Sequence, residues 1–178
     1  MSPEPPSTFQ LEDGRLVQVR PIQPEDAPLI QALVGRLSPE SSYLRFHEYL
    51  QRLSEKQLYD FTQLDYDTRM AYVAALPGQD GDQIIAVARY AALPPGPLPD
   101  PKKAEVAIVV EDAFQMQGLG FYLLKRLTLY AREHEFQTFI GTIHPTNQRI
   151  LEIIQETGLR FSRHFTDGVW EVEIDLSR

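Results

Sequence analysis

Cysteine is missing from this sequence of 178 residues. Its absence excludes disulfide bonds, thiolate metal sites and a cysteine nucleophile, so an acyl transfer by this chain could not pass through a cysteine thioester. The four histidines show no spacing typical of a metal site, and no metal is expected. A Gly-x-Ser-x-Gly motif is also missing, which argues against a serine hydrolase.

Basic charge and long apolar runs are scarce as well. The chain carries 17 lysines and arginines against 25 acidic residues, a formal net charge of −8. A nucleic-acid binder usually presents a basic face, so no nucleic-acid partner is expected. A cationic partner, such as a lysine-bearing surface, is compatible with this charge. We find no signal peptide and no apolar run of about 18 residues, so no membrane segment is expected and the predicted location is the cytoplasm.

The residues that are present suit one globular domain. The length and the apolar fraction of 43% are ordinary for a folded unit with a sizeable core. Several early prolines predict a disordered leader over residues 1–10, and residues 11–178 are predicted to form the single domain. A proline-dense stretch at residues 94–101 predicts an exposed, stiff loop that is too short to separate two domains.

Strand and helix patterns alternate along this domain. The two hairpin signals are residues 70–93, with a Pro-Gly-Gln-Asp-Gly-Asp connection, and residues 159–176, which fold around Asp167-Gly168. Ser38 and Ser54 are predicted helix N-caps. Together the patterns favour an α/β mixture with one sheet. The predicted strands are 16–20, 70–76, 84–93, 106–110, 137–144, 159–165 and 169–176, with helices beginning near 24, 38, 54, 119 and 147.

Residues 103–132 change from a strand to a helix across two glycines. Residues 106–110 are rich in β-branched side chains, and from Leu119 the apolar positions recur at helical spacing. Between them lies Gln115-Met116-Gln117-Gly118-Leu119-Gly120. Glycines at such a junction let backbone N–H groups approach an anion at the positive end of the helix. This is the outline of a pyrophosphate site.

The glycine spacing narrows the kind of phosphate site. A P-loop needs a lysine and a hydroxyl residue after its glycines, and neither follows here in that register. The dinucleotide fingerprint needs a third glycine where this chain has Leu123. What remains is Gln-x-x-Gly-x-Gly between a strand and an amphipathic helix. A glycine-softened turn that binds no ligand stays the alternative.

The remaining pattern resembles the acyl-CoA signature of the GNAT acetyltransferases, Arg/Gln-x-x-Gly-x-Gly/Ala, and the element order over residues 16–176 matches the GNAT fold. The resemblance implies an α/β (α+β) fold in which helices flank a single mixed, mostly antiparallel sheet with splayed central strands. It implies acetyl-CoA as the co-substrate. The positions that match the family's cofactor contacts are Ile108, Val109, Val110, Gln115, Met116, Gln117, Gly118, Leu119, Gly120 and Asn147. For Asn147 a plain helix N-cap is an equally good interpretation.

Within this family the sequence is similar to the bacterial Pat-type protein-lysine acetyltransferases that modify acyl-CoA synthetases. Residues 37–46 (Leu-Ser-Pro-Glu-Ser-Ser-Tyr-Leu-Arg-Phe), 61–67 and 104–107 carry this similarity together with the cofactor turn. It implies a protein partner with an exposed lysine, such as an acyl-CoA synthetase. The similarity covers the catalytic domain only, so control by a cyclic-nucleotide domain is expected to be absent or supplied by another chain.

Transfer to a lysine needs a neutral amine, although a lysine side chain has a pKa of about 10.4. A base must therefore take its proton, and the resemblance assigns that role to Glu105. By period two Glu105 shares a strand face with Ala107 and Val109, where desolvation is expected to raise its pKa. A strand-end glutamate that points to water is the alternative.

The remaining catalytic roles are less complete. A backbone N–H at or near Val110 is expected to stabilise the oxyanion. Many GNAT enzymes protonate the leaving thiolate with a tyrosine, but none follows Tyr130 here, and His144 at a strand end is more simply a bystander. The sequence thus predicts an acetyl-CoA-dependent N-acetyltransferase of protein lysines. A small-molecule amine acetyltransferase and a non-catalytic acyl-CoA-binding module are the alternatives.

Overall fold

The computed structural model describes residues 4–97 and 102–177, and one sheet runs through them. Five helices flank this sheet: α1 (Ala27–Arg36), α2 (Pro39–Phe46), α3 (Glu55–Thr62), α4 (Leu119–Glu133) and α5 (Gln148–Glu156). The strands are β1 (Ser7–Gln10), β2 (Leu16–Pro21), β3 (Arg69–Leu76), β4 (Gln83–Ala92), β5 (Lys103–Val110), β6 (Thr138–Ile143), β7 (Phe161–Thr166) and β8 (Val169–Asp175).

The strand order in the sheet is β1-β2-β3-β4-β5-β6-β8-β7. Neighbouring strands are antiparallel except β5 and β6, which are parallel. The predicted α/β architecture with one mixed, mostly antiparallel sheet is therefore confirmed. Both predicted hairpins form, and Asp167 and Gly168 adopt the left-handed φ values, 50° and 81°, that a tight turn needs. No helix among the described residues is long and apolar enough to cross a membrane.

The sheet separates two apolar layers. On one face α1 and the segment around α3 pack on Ala71, Val73 and Val109, and on the other face α4 and α5 pack on a larger core. The predicted apolar face of α4 is fully buried at Leu123 and Leu127. Burying a leucine completely stabilises a fold by about 1.5–3 kcal/mol. The two layers fix β4 and β5 from both sides at the centre of the sheet.

The predicted disordered leader over residues 1–10 is wrong for the residues that the structure describes. Ser7–Gln10 pairs antiparallel with β2, and the ring of Phe9 packs 5.3 Å from that of Tyr122. Just before the strand, the Glu4 carboxylate pairs with Arg126. Phe9 and the buried Leu11 alternate toward the core, and this apolar contact outweighs the effect of the early prolines. Residues 1–3 lie outside the described residues.

The proline-dense loop is only partly described. Residues 94–97 are exposed, as predicted, whereas 98–101 lie outside the described residues. Ser38 and Ser54 cap α2 and α3 as predicted: the Ser38 Oγ accepts the Ser41 N–H at 3.1 Å, and Ser54 forms a capping box with Gln57. The Ser38 cap fixes where α2 starts, and α2 forms one wall of the cleft described below.

Candidate active site

Strands β5 and β6 part at the centre of the sheet. They are paired only from Lys103 opposite Thr138 to Glu105 opposite Ile140. Beyond that point β5 continues to Val110 and β6 to Ile143 without pairing each other. This gap is the splay that the resemblance implied.

The ladder with β4 decides which backbone groups of β5 face the gap. The N–H of Glu111 donates to the carbonyl of Ile85 at 2.8 Å. Because hydrogen bonding alternates along an antiparallel pair, Val109 also bonds to β4, and the backbone groups of Ile108 and Val110 point away from β4, toward the gap. Of the three β5 residues predicted to contact the cofactor through their backbone, Ile108 and Val110 thus offer amides on this side.

The start of α4 is a second source of free backbone N–H groups. Gly118 is its N-cap and has φ 82° and ψ 0°, a left-handed conformation that strains other residues. Within the described parts of the chain, no side chain accepts a hydrogen bond from Leu119, Gly120 or Phe121 N–H, and the first turn holds no acidic residue. These N–H groups lie at the positive end of a 15-residue helix, a favourable place for an anion.

Gly120 is a glycine for a different reason. A Cβ atom there would lie 3.0 Å from Cδ1 of Ile153 and 3.7 Å from Cγ2 of Val110. The helix therefore passes close to both α5 and the end of β5. Gly118 supplies the backbone conformation of the turn, and Gly120 supplies the close approach.

A cleft of about 350 Å³ lies over this junction. Gln117 does not line it, because its side-chain oxygen accepts the Glu12 N–H at 3.0 Å instead. Asn147 caps α5 through a long contact of 3.4 Å to the Ile150 N–H and still faces the cleft, so the two roles are compatible. Nine of the ten predicted cofactor residues line the cleft together: Ile108, Val109, Val110, Gln115, Met116, Gly118, Leu119, Gly120 and Asn147.

A hydrogen-bond network joins this turn to α2. The carboxylate of Asp112 accepts hydrogen bonds from Ser38 Oγ at 2.7 Å, from Ser38 N–H at 3.0 Å and from Ser41 Oγ at 2.8 Å. The side-chain amide of Gln115 donates to Ser41 Oγ at 3.2 Å and to the Val110 carbonyl at 2.9 Å. These hydrogen bonds join the Leu-Ser-Pro-Glu-Ser segment and the cofactor turn into one structural unit.

Replacing Asp112 by asparagine should loosen this unit. Burial raises the pKa of Asp112, but the hydrogen bonds from Ser38 and Ser41 outweigh it and lower the pKa below its ordinary value of 3.8. The stabilisation is therefore complete above pH 3.8 and is lost as the pH falls through the lower, folded-state pKa. For this exposed carboxylate we expect a loss of about 1 kcal/mol in unfolding free energy at pH 7.

Urea unfolding at several pH values measures this effect. The difference between wild type and Asp112→Asn should shrink below pH 3.8, and the exposed turn variant Asp80→Asn should match wild type throughout. A difference that stays constant down to pH 2.5 would contradict a stabilising role for the Asp112 charge.

Glu105 lies at the apex of the splay. It is the last β5 residue paired with β6, and its side chain shares a face with Ala107 and Val109, as the alternation predicted. The expectation of a desolvated carboxylate is not met, because Glu105 is exposed. The reason lies in its neighbours: Ala91 on β4 and Ala107 on β5 are too small to cover it. The nearby charges include those of Arg45 and Arg89: burial lowers the pKa of each, and the charge of Glu105 offsets a part of that lowering.

Arg45 and Arg89 are the residues that sequence reasoning missed. Both are half-buried, and burial lowers the pKa of each to about 10, so both stay cationic at neutral pH. Arg45 lies in the last turn of α2 and lines the cleft. A signal for Arg89 was present, because it is a charged residue inside an otherwise apolar strand run.

His144 stays outside the cleft lining. Its Nδ1 lies 2.8 Å from Thr146 Oγ1, and its ring packs edge-on against that of Tyr43 at 5.2 Å. Nothing in this arrangement gives His144 a catalytic role. In the described ranges, no three histidine, aspartate or glutamate side chains gather as a metal site would require.

Comparisons with known proteins agree with this geometry. Residues 38–158 match the acetyltransferase (GNAT) family. The crystal structure of the GNAT domain of S. lividans PAT superposes with a TM-score of 0.83 at 32% identity, over 96% of this chain and 96% of that one. Acetyltransferase PA5475 of Pseudomonas aeruginosa is 29% identical over 144 residues, which are 80% of this chain and 74% of that protein.

A more distant structure shares the fold. The cAMP-binding acyltransferase from Mycobacterium smegmatis superposes with a TM-score of 0.61 at 23% identity, over 98% of this chain but only 48% of that one. The family match covers most of the chain and includes α2, the splay and the cofactor turn. The chain belongs to the GNAT family and is an acetyltransferase.

Proposed function

We propose that this acetyltransferase uses acetyl-CoA to acetylate lysine side chains of proteins, with acyl-CoA synthetases as the first acceptors to test. One observation carries the proposal: the unpaired edge of β5 and the N-terminus of α4 meet in a single cleft. The coenzyme supplies an activated acetyl group as a thioester.

The chain's own residues fit the parts of this co-substrate. The N–H groups of Gly118, Leu119 and Gly120 suit the diphosphate, because they combine a left-handed glycine turn with a helix N-terminus. The gap-facing amide of Ile108 suits the pantetheine arm, as an edge strand binds an extended amide chain. Asn147, on the opposite wall, suits the same arm.

Transfer then needs a base and an oxyanion site. Glu105 takes a proton from the lysine ammonium, and its exposure lets both the lysine and water reach it. The nitrogen attacks the thioester carbonyl directly, and the N–H of Val110 stabilises the oxyanion that forms. No tyrosine side chain lines the described cleft, so the coenzyme thiolate leaves without a dedicated acid.

The acceptor class is supported by exposed aromatic side chains, by the net charge and by a relative. Three tyrosine side chains are exposed: Tyr43 on α2, Tyr49 just after it, and Tyr59 on α3. Aromatic side chains are enriched at the surfaces through which proteins bind each other. The net charge of −8 favours a cationic acceptor. The relative with 32% identity is itself the GNAT domain of a protein called PAT.

Labelled acetyl-CoA tests this function. We expect the protein to transfer the label to lysines of a purified acyl-CoA synthetase, and to a few proteins in a lysate of its source, in one step without a labelled enzyme intermediate. Free polyamines and lysine serve as small-molecule acceptors in parallel. Rapid labelling of those amines with none on any protein would replace the protein-lysine assignment by the small-molecule one.

A further inference from the structure

Two cationic side chains meet beneath the transfer cleft. Arg89 projects from β4 on the sheet face that also carries Glu105, and its Cζ lies 4.3 Å from the centre of the Phe61 ring. Arg45, from α2, lies over the Phe46 ring at 4.8 Å and 5.9 Å from the Phe61 ring. The two guanidinium groups are close enough for the charge of Arg45 to act on Arg89.

Every other half-buried arginine among the described residues donates a hydrogen bond to a protein group: Arg69 and Arg132 to backbone carbonyls, and the rest to carboxylates. Arg20 binds Asp26 at 2.7 Å, and Arg126 binds Glu4. By contrast, no residue in 4–97 or 102–177 forms a hydrogen bond or a salt bridge with the Arg45 or Arg89 guanidinium. Glu105 acts on both only at longer range, and Arg89 also feels the charges of Asp60 and of a third cation, Arg69.

Without a ligand, these two guanidinium groups lower the free energy of unfolding of the protein. A half-buried charge loses hydration, and two like charges side by side add repulsion. The aromatic rings recover a part of that cost through cation–π contacts. The carboxyl end of α2 also favours a cation at Arg45, but no such effect applies to Arg89 in the middle of a strand.

The cavities show what the two side chains face. Arg45 lines three cavities. They are the large cleft, a second cavity of about 70 Å³ in the gap between β5 and β6, and a third cavity of about 30 Å³. Arg89 lines the third cavity, and Val109 lines both this cavity and the large cleft. Arg45 and Val109 are thus common to the walls of the cleft and of the third cavity, on which Arg89 also lies. The third cavity holds about two water-sized groups.

We infer that Arg45 and Arg89 bind a carboxylate group of a substrate next to the site of acyl transfer. The guanidinium fork matches the geometry of a carboxylate, and a carboxylate supplies the negative charge that the described residues do not place within bonding distance. This inference rests on the proposed transfer function. The carboxylate is carried either by the acyl group, as in malonyl- or succinyl-CoA, or by the acceptor, as an aspartate beside the target lysine. In either case the N–C bond forms as the C–S bond breaks, and the bound carboxylate does not react.

Calorimetry tests whether the acyl group carries the bound carboxylate. Wild type is titrated with acetyl-CoA and succinyl-CoA, beside Arg45→Gln, Arg89→Gln and the control Arg160→Gln, which removes an exposed arginine. If the acyl group carries the carboxylate, succinyl-CoA binds about tenfold more tightly than acetyl-CoA to wild type and Arg160→Gln. The preference falls below about twofold in Arg45→Gln and Arg89→Gln, and the acetyl-CoA affinity of Arg89→Gln stays within about threefold of wild type, because Arg89 does not line the cleft.

Two peptides test whether the acceptor carries the bound carboxylate. One carries an aspartate beside a single lysine, and the other has asparagine in its place. If the acceptor carries the carboxylate, wild type shows a KM about tenfold lower for the aspartate peptide, and Arg89→Gln equalises the two. In both cases the melting temperature of free Arg89→Gln should equal or exceed that of wild type, because the substitution removes a half-buried charge that has no hydrogen-bonded partner among the described residues.

The inference is wrong if wild type binds acetyl-CoA but shows no carboxylate preference in either arm, or if the preference survives in both arginine variants. A melting temperature of free Arg89→Gln several degrees below that of wild type would also contradict it, because Arg89 would then stabilise the fold itself. Failure to bind any acyl-CoA would refute the proposed function together with this inference.

Discussion

Glu105→Gln is expected to lower kcat at pH 7 by about 10²- to 10⁴-fold, the usual contribution of a general base. The amide cannot take the lysine proton, and the target amine then stays almost entirely protonated. The affinity for coenzyme A should change by less than about twofold, because Glu105 does not line the cofactor cleft. Calorimetry for binding and a thiol-release assay for turnover measure the two quantities separately.

Glu171→Gln is a matched control for this substitution. It makes the same change at an exposed glutamate of β8, and should leave both binding and turnover intact. The rate deficit of Glu105→Gln should also shrink at alkaline pH, where more of the acceptor amine is neutral without help. An unchanged rate in Glu105→Gln at neutral pH, with binding intact, would show that Glu105 is not the base.

Gly118→Ala is expected to weaken coenzyme A binding by about 5- to 30-fold. An alanine at φ 82° carries a strain of about 1–2 kcal/mol, and relief of that strain turns the N–H groups at the start of α4 away from a common point. Gly120→Ala should cost less than about threefold. Its new Cβ would lie 3.0 Å from Cδ1 of Ile153, the end of a side chain that can rotate away.

Asparagine at position 118 gives a further control, because it tolerates the left-handed conformation better than alanine. Gly118→Asn should recover a part of the lost affinity in the same titration. Circular dichroism melts would check that all three variants are folded. Equal effects of Gly118→Ala and Gly120→Ala on affinity would contradict the division of roles between the two glycines.

The local patterns predicted much of this structure. A run rich in β-branched residues located β5, the serine caps located α2 and α3, and the glycine pair located the turn before α4. Each of these signals depends on residues that are close together in the chain. The order of the elements and the resemblance then supplied the sheet and its splay.

The errors concern contacts between distant segments. The exposure of Glu105 depends on the small size of Ala91, which only the pairing of β4 with β5 places beside it. The strand at Ser7–Gln10 depends on the contact of Phe9 with Tyr122 in α4. Arg45 lies on a helix and Arg89 on a distant strand, and both contact the ring of Phe61 on α3. Periodicity within one helix or strand carries no information on contacts between distant segments.

The hydrogen bonds between α2 and the turn bear on the order in which ligands bind. Ser38 and Ser41 hold the first turn of α2 against Asp112 and Gln115, and the last turn of the same helix carries Arg45. Under the proposed function, a diphosphate bound at the turn would also restrain this short helix through those hydrogen bonds. We therefore expect the acyl donor to bind before the acceptor.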